Sequence, residues 1–121
     1  MQEISNASLA SLLFSLSRHD IGMIRKKWRE DTKTKFYKTR RWKDVLICAI
    51  CGKNITKSTL TVDHIIPASI CLELGLYKLE FDYRNLRSTH RSCNEQRGNN
   101  YDDLPESVKL KIEELRNAKD K

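Results

Sequence analysis

Two pairs of soft ligands constrain this chain more than any other feature: Cys48 and Cys51 form a Cys-x-x-Cys, and after 38 intervening residues His90 and Cys93 form a His-x-x-Cys. Each pair can bend around a metal in a tight knuckle, and together they supply the four nitrogen and sulfur donors of a tetrahedral zinc ion. Whatever fold the intervening segment takes must therefore begin and end at one point. Gly52 directly follows the first pair, as a knuckle turn wants. A redox Cys-x-x-Cys or ordinary buried cysteines are the competing readings. The redox motif wants a strand before it and a helix after it, whereas here a Gly52-Lys53-Asn54 turn follows. Cys71, in "ASICLELG", has no partner pair and reads as core.

With 121 residues the chain makes one domain with a helical extension and one modest core. No apolar run approaches the roughly 20 residues of a membrane span. The first 17 residues faintly resemble a secretory signal, but Glu3 stands where a basic n-region would be, so an amphipathic first helix is the better reading. A cytoplasmic location, in a bacterial or phage-infected cell, is the expectation; there cysteines stay reduced and serve metals.

The net charge of +7 is concentrated. Residues 18–43 hold eleven Lys and Arg against three acids, a local balance of +8, with Trp28, Phe36, Tyr37 and Trp42 interleaved. Such a segment suits a nucleic-acid backbone, or else is a solvated helix face.

Helical patterning is expected over residues 7–17 and again after Asp20, a candidate N-cap, through "IGMIRKKWRE". "DTKTKFYK" reads as a polar linker or exposed turn, and "RRWKDVLI" as a short helix or strand. A hairpin is expected from about Ala49 to Ile66, with "GKN" near its turn and "TLTVDHII" returning. A short helix should cover "ASICLELG" and stop at Gly75. "NLRSTHRSCNEQRGNN" reads as a strand or loop followed by a helix beginning near Ser92. Asp103 and Glu106 have capping-box spacing, with Pro105 suited to a first turn, and open a last helix whose Val108, Ile112 and Leu115 share a face. The resulting division is a basic helical extension over 1–43, a core over 44–101 and a packing helix over 102–121.

A second constellation, Asp63–His64, Asn85 and Asn94, interleaves with the zinc pairs. A turn Asp, a satisfied His and two structural Asn are the plain readings of each taken singly. Asn94 directly follows Cys93, and Asn85 lies five residues before His90, so a metal staple would bring these positions together.

The strings "VDHIIPAS" and "NLRSTHRSCNEQRGN" resemble the HNH endonucleases, in the subset with a zinc-knuckle pair on each side. The resemblance spans roughly Cys48 to Asn100 and implies an α+β chain built on a ββα-metal core, a β-hairpin plus helix. It maps the first His of the family to His64, its central Asn to Asn85 and its last His to Asn94, an H-N-N variant. His90 stands where four-cysteine members have Cys. The implied activity is metal-dependent hydrolysis of DNA phosphodiester bonds, with His64 as general base and Asn85 orienting it. Asp63 and Asn94 would offer hard oxygen ligands to Mg²⁺ or Mn²⁺, with zinc as structural support. Arg97 falls on the Asn94 face of a helix, and with Arg91 and Arg87 is a candidate contact to the DNA backbone.

If both lie in an extended strand, Asp63 and His64 point to opposite faces, so the strand should end or break its pleat there. A zinc-stapled DNA-binding module, or a degenerate domain that no longer cuts, is the alternative. The expected partner is DNA and not a membrane, and the N-terminal helices could also support a homodimer or dock on a larger protein.

Overall fold

The computed structural model describes Asn6 and residues 17–119. The helix expected over 7–17 lies outside them, Ser17 apart. The first long element is α1, Arg18–Thr39, capped by Ser17, whose hydroxyl accepts from the Asp20 backbone N–H. Ser17, not Asp20, is therefore the N-cap. The helix also runs straight through "DTKTKFYK", which polarity had suggested was a linker. Its inner stripe explains why: Ile21, Arg25, Trp28, Thr32 and Phe36 recur at spacings of three and four and are wholly or partly buried, while their neighbours, Ile24 apart, are exposed. Three threonines that favour helix poorly return their hydroxyls to carbonyls four residues back, Thr32 to Trp28, Thr34 to Glu30 and Thr39 to Lys35.

A single turn of helix, α2 (Trp42–Val45), leads to the Cys48–Cys51 knuckle. Gly52, at φ +76°, closes the knuckle turn by donating its N–H to the Cys48 carbonyl. The strand that follows, β1 (Leu60–His64), does not pair with the preceding segment, as the expected hairpin required. Its partner is β2 (Leu86–His90), antiparallel, with Leu60 opposite His90, Val62 opposite Ser88 and His64 opposite Leu86. Residues 47–59 contribute one isolated bridge, Ile47 to Asn54, and dock on β2 through the Ala49 N–H to the Ser88 carbonyl. The two halves of the sheet are thus joined by a long excursion, not a tight turn. That excursion holds α3 (Ala68–Glu73), α4 (Tyr77–Glu80) and a 3-10 turn over Tyr83–Asn85. Gly75, at φ +70°, terminates α3 as expected. Then come α5 (Arg91–Arg97), which packs on both strands, and α6 (Glu106–Lys119).

The fold is therefore mixed α+β, a two-stranded antiparallel ribbon with helices on both faces. On one face Leu60, Val62 and Leu86 meet Phe36 of α1 and Val45 of α2. Phe36 is 1% exposed; burying such a side chain contributes about 1.5–3 kcal/mol. A second cluster joins Ile70 of α3 to Leu104 and to Ile112 and Val108 of α6, and an Arg116–Glu73 ion pair at 2.6 Å closes its edge. No helix among the described residues is long and apolar enough to cross a membrane.

Candidate active site and metal centre

Four ligand atoms from Cys48, Cys51, His90 and Cys93 lie within 4.8 Å of one another. A tetrahedron with Zn–S near 2.3 Å has edges of about 3.8 Å, so modest contraction brings this set onto a zinc ion. The His90 ring presents Nδ1 to the sulfurs, 3.3 Å from Cys51 Sγ and 3.7 Å from Cys93 Sγ. Its Nε2 lies 2.9 Å from the Asn54 carbonyl, which can only accept, so the proton sits on Nε2 and the Nδ1 lone pair faces the cluster. Burial alone would raise the Cys48 thiol, but the backbone N–H groups of Cys51, His90 and Ile50 and the Cys51 thiol outweigh it and lower it to about 6. Cys93 goes the other way, pushed up to about 11 by burial and then by its cysteine neighbours. Cys71 is fully buried, and desolvation followed by the Glu80 charge raises it to about 12, as befits a core thiol.

At the far end of β1 the sheet pairing stays regular through His64 and stops there. Of the two expected outcomes, an end or a broken pleat, the strand takes the first: it ends at His64 with its pleat intact. Asp63 shares a face with its cross-strand partner Arg87, while His64 shares the opposite face with Leu86. Beyond the strand end, His64 Nε2 meets the Glu80 carbonyl at 2.8 Å. A carbonyl has no proton to give, so Nε2–H donates, and Nδ1 keeps its lone pair with no hydrogen-bond partner among the described residues.

Asn85 is 4% exposed, and every polar atom of its side chain is used. Its Oδ1 accepts from the Ile66 N–H at 2.9 Å, and its Nδ2 donates to the carbonyls of Ile66 and Leu79, both at 3.2 Å. The Asn85 carbonyl also accepts from the Ile65 N–H at 2.7 Å. One side chain thus ties the loop after His64 to the end of α4 that supplies the His64 acceptor.

The stretch that carries this geometry, residues 48–100, matches the family model described as HNH endonuclease. That stretch is similar to HNH endonuclease domains. No curated protein and no solved structure matches the chain.

Within the matched stretch, Asp63 Oδ2 pairs with Arg97 Nη1 at 3.1 Å and lies 3.5 Å from Arg87 Nη2. Its Oδ1 has no partner among the described residues, nor does the Asn94 amide on α5. Both keep oxygen lone pairs of the hard type that Mg²⁺ or Mn²⁺ prefers. Arg97, on the same helix, is 8% exposed. It donates to Asp63, to the His64 carbonyl at 2.6 Å, to the Ile65 carbonyl and to Asp103 Oδ1 at 3.1 Å. Arg87 is also largely enclosed and pairs with Asp103 Oδ2 at 2.7 Å; its Nε is buried without a partner. Of the three arginines singled out in the sequence, only Arg91 presents an exposed side chain.

Sequence reasoning missed three residues. Asp103 does not serve the expected capping box; its carboxylate bridges Arg87 and Arg97. Glu80 and Arg25 belong to no motif, yet Glu80 is 1% exposed and its carboxylate takes a two-pronged ion pair from Arg25 of α1. The one available signal was a lone Arg on the apolar stripe of a helix, which composition cannot separate from a solvated one.

Proposed function

We propose that the protein is a metal-dependent DNA endonuclease in which His64 is the general base. The observation that carries this reading is the His64–Glu80 hydrogen bond, because it consumes the Nε2 proton and leaves Nδ1 as an imidazole lone pair at the strand end. A neutral imidazole so arranged takes a proton from an attacking water near pH 7. Asn85 acts through the loop, holding the Leu79 carbonyl, next to the one His64 meets, and the Ile65–Ile66 turn so that the ring cannot swing. A divalent ion held by Asp63 and Asn94 would supply Lewis-acid stabilisation to the phosphate and the leaving 3′ oxygen. Zinc on Cys48, Cys51, His90 and Cys93 would join the start of α5, and hence Asn94, to the segment that precedes β1.

Substrate binding follows from charge. Lys26, Arg29 and Lys33 are exposed at spacings of three and four along α1, so they share one side of the helix. With Arg91 they are the proposed contacts to the DNA backbone, while the enclosed Arg87 and Arg97 brace Asp63. Residues 1–43 are then a DNA-binding extension, 44–101 the cleaving core and 102–121 a brace that reaches the site through Asp103.

Cleavage of supercoiled plasmid with a panel of Mg²⁺, Mn²⁺ and Ni²⁺, wild type beside His64→Ala, tests the reading. Wild type should nick or linearise the plasmid, and the variant should bind it without cutting. Full cleavage by His64→Ala would overturn the assignment. A domain that binds DNA without cutting draws on one observation, the commitment of Asp63 Oδ2 to two arginines, and it predicts binding with no cleavage in any of the three metals.

A further inference from the structure

The peptide that accepts from His64 is gripped from the other side by α1, which lies outside the HNH match. Three consecutive carbonyls, Leu79, Glu80 and Phe81, are each committed: the first to Asn85 Nδ2 at 3.2 Å, the second to His64 Nε2 at 2.8 Å, the third to Thr32 Oγ1 at 3.1 Å. Arg25 fastens the Glu80 side chain with both Nε and Nη2, and Trp28 packs edge-to-face on the Phe81 ring with centroids 5.2 Å apart. Further along, Lys35 lies over the Tyr83 ring and Phe36 packs on Leu86. Positions 25, 28, 32, 35 and 36 therefore meet 80, 81, 81, 83 and 86 in order, one helix laid along one segment.

We propose that Arg25 and Glu80 are positioning residues for the nuclease reaction: their ion pair fixes the Glu80 peptide, and through its carbonyl the tautomer and direction of the His64 ring. A buried carboxylate on the residue whose carbonyl meets the imidazole would otherwise be a poor choice, since an uncompensated buried charge costs more than an apolar side chain. Its fork-to-fork pairing supplies two directional bonds where an apolar contact supplies none. Without that hold, the Glu80 peptide is restrained only through its neighbours, by Asn85 at Leu79 and Thr32 at Phe81, and its own carbonyl can turn away. His64 can then take the other tautomer, with its proton on Nδ1, which removes the base. α1 is in this sense part of the active site, although none of its atoms touches the reacting groups.

The inference rests on His64 being the general base, so the test carries a readout that does not depend on cleavage. The variant Arg25→Met/Glu80→Leu replaces the pair by apolar side chains and leaves no lone buried charge. In the full chain loaded with zinc, with unchanged melting behaviour, kcat for plasmid cleavage should fall about tenfold to a hundredfold with KM within twofold. The ¹⁵N shifts of the His64 ring should move from the Nε2–H pattern to a mixture of tautomers. Arg25→Lys, which keeps the charge and loses the fork, should fall between. Thr32→Val removes the hydroxyl on the neighbouring carbonyl at nearly constant shape; it carries the same signature at smaller size and serves if the double variant does not fold. Unchanged ¹⁵N shifts and kcat in a folded variant would overturn the proposal, as would a rise in KM alone, which would mark Arg25 as a DNA contact. If wild type and His64→Ala cleave equally, the base assignment fails, and the ¹⁵N measurement alone still decides whether α1 sets the ring.

Discussion

Asp63 and Arg97 meet at 3.1 Å, Oδ2 to Nη1, across the junction of β1 and α5, and the same guanidinium holds the His64 and Ile65 carbonyls. The candidate metal ligand and the strand end that carries the candidate base are thus fixed by one side chain. The pair also explains how two adjacent residues on opposite faces of a ribbon can serve one locality. The ribbon ends at them, and Arg97 closes the end.

Replacing Arg97 by Ala would strand the Asp63 carboxylate and two backbone carbonyls in a largely dry setting. Removing one partner of such a pair costs about 3–5 kcal/mol, so Arg97→Ala should lower the free energy of unfolding in urea by that order. An arginine serving only as a phosphate contact would leave unfolding unchanged and weaken DNA binding alone. A change under about 1 kcal/mol, the range of exposed ion pairs, would show that the guanidinium is not the brace described.

The sequence made the zinc pairs, β1, α3 and α5 legible because each has a short-range signature: ligand spacing, a β-branched run, a closing Gly75, a knuckle; Asn85 was reached only through the family resemblance. The partner of β1 was not legible. The stretch around Ile55 looks as strand-like as β2 does, and only the long-range docking of the knuckle on Ser88 decides between them. The length of α1 was hidden for a related reason. Thr32 and Phe36 are the buried members of an otherwise charged stretch, and their partners, Phe81 and Leu86, lie roughly 50 residues away. Asp103 was misjudged because a capping box and a bridge between two arginines use the same carboxylate.

Asp103 supports a prediction about acid. Burial would raise its carboxyl, but the Arg87 hydrogen bond and the charges of Arg87 and Arg97 outweigh that and hold it below the ordinary value of 3.8. A carboxyl depressed in the folded state stabilises the protein in full above its ordinary value, and that stabilisation is lost as pH falls through the folded one. Wild type should therefore lose stability more steeply than Asp103→Asn as pH falls below about 4. Thermal melts across that range measure both slopes, and parallel curves would show that the bridge adds nothing.

Metal removal should separate the knuckle from the rest. The chain should carry one zinc by elemental analysis, and chelation or Cys93→Ser, which frees the start of α5 from Cys48 and Cys51, should remove it. The melting temperature should fall with it, because binding energy at a structural site is folding energy. His90→Cys should retain the ion, since four thiolates satisfy the same tetrahedron, whereas His90→Ala should lose it. Equal melting of the chelated and loaded chains would mean that the knuckle stands without metal.

The exposed side of α1 gives the sharpest prediction about DNA. Each phosphate contact releases condensed counterions, so the logarithm of the binding constant falls with log salt at about 0.9 per contact. Changing Lys26, Arg29 and Lys33 together to Gln should make that slope shallower by about 2–3 and weaken binding alike for unrelated sequences. It should leave cleavage at saturating DNA intact, because the inner stripe that grips Glu80 and Phe81 is untouched. Arg25→Met/Glu80→Leu should do the reverse, leaving the salt slope alone and lowering turnover. The two faces of one helix would then be separable, the outer measured by salt and the inner by kcat. A triple variant whose salt slope matches wild type would place the DNA on another surface, and the outer charges of α1 would be only a solvated face.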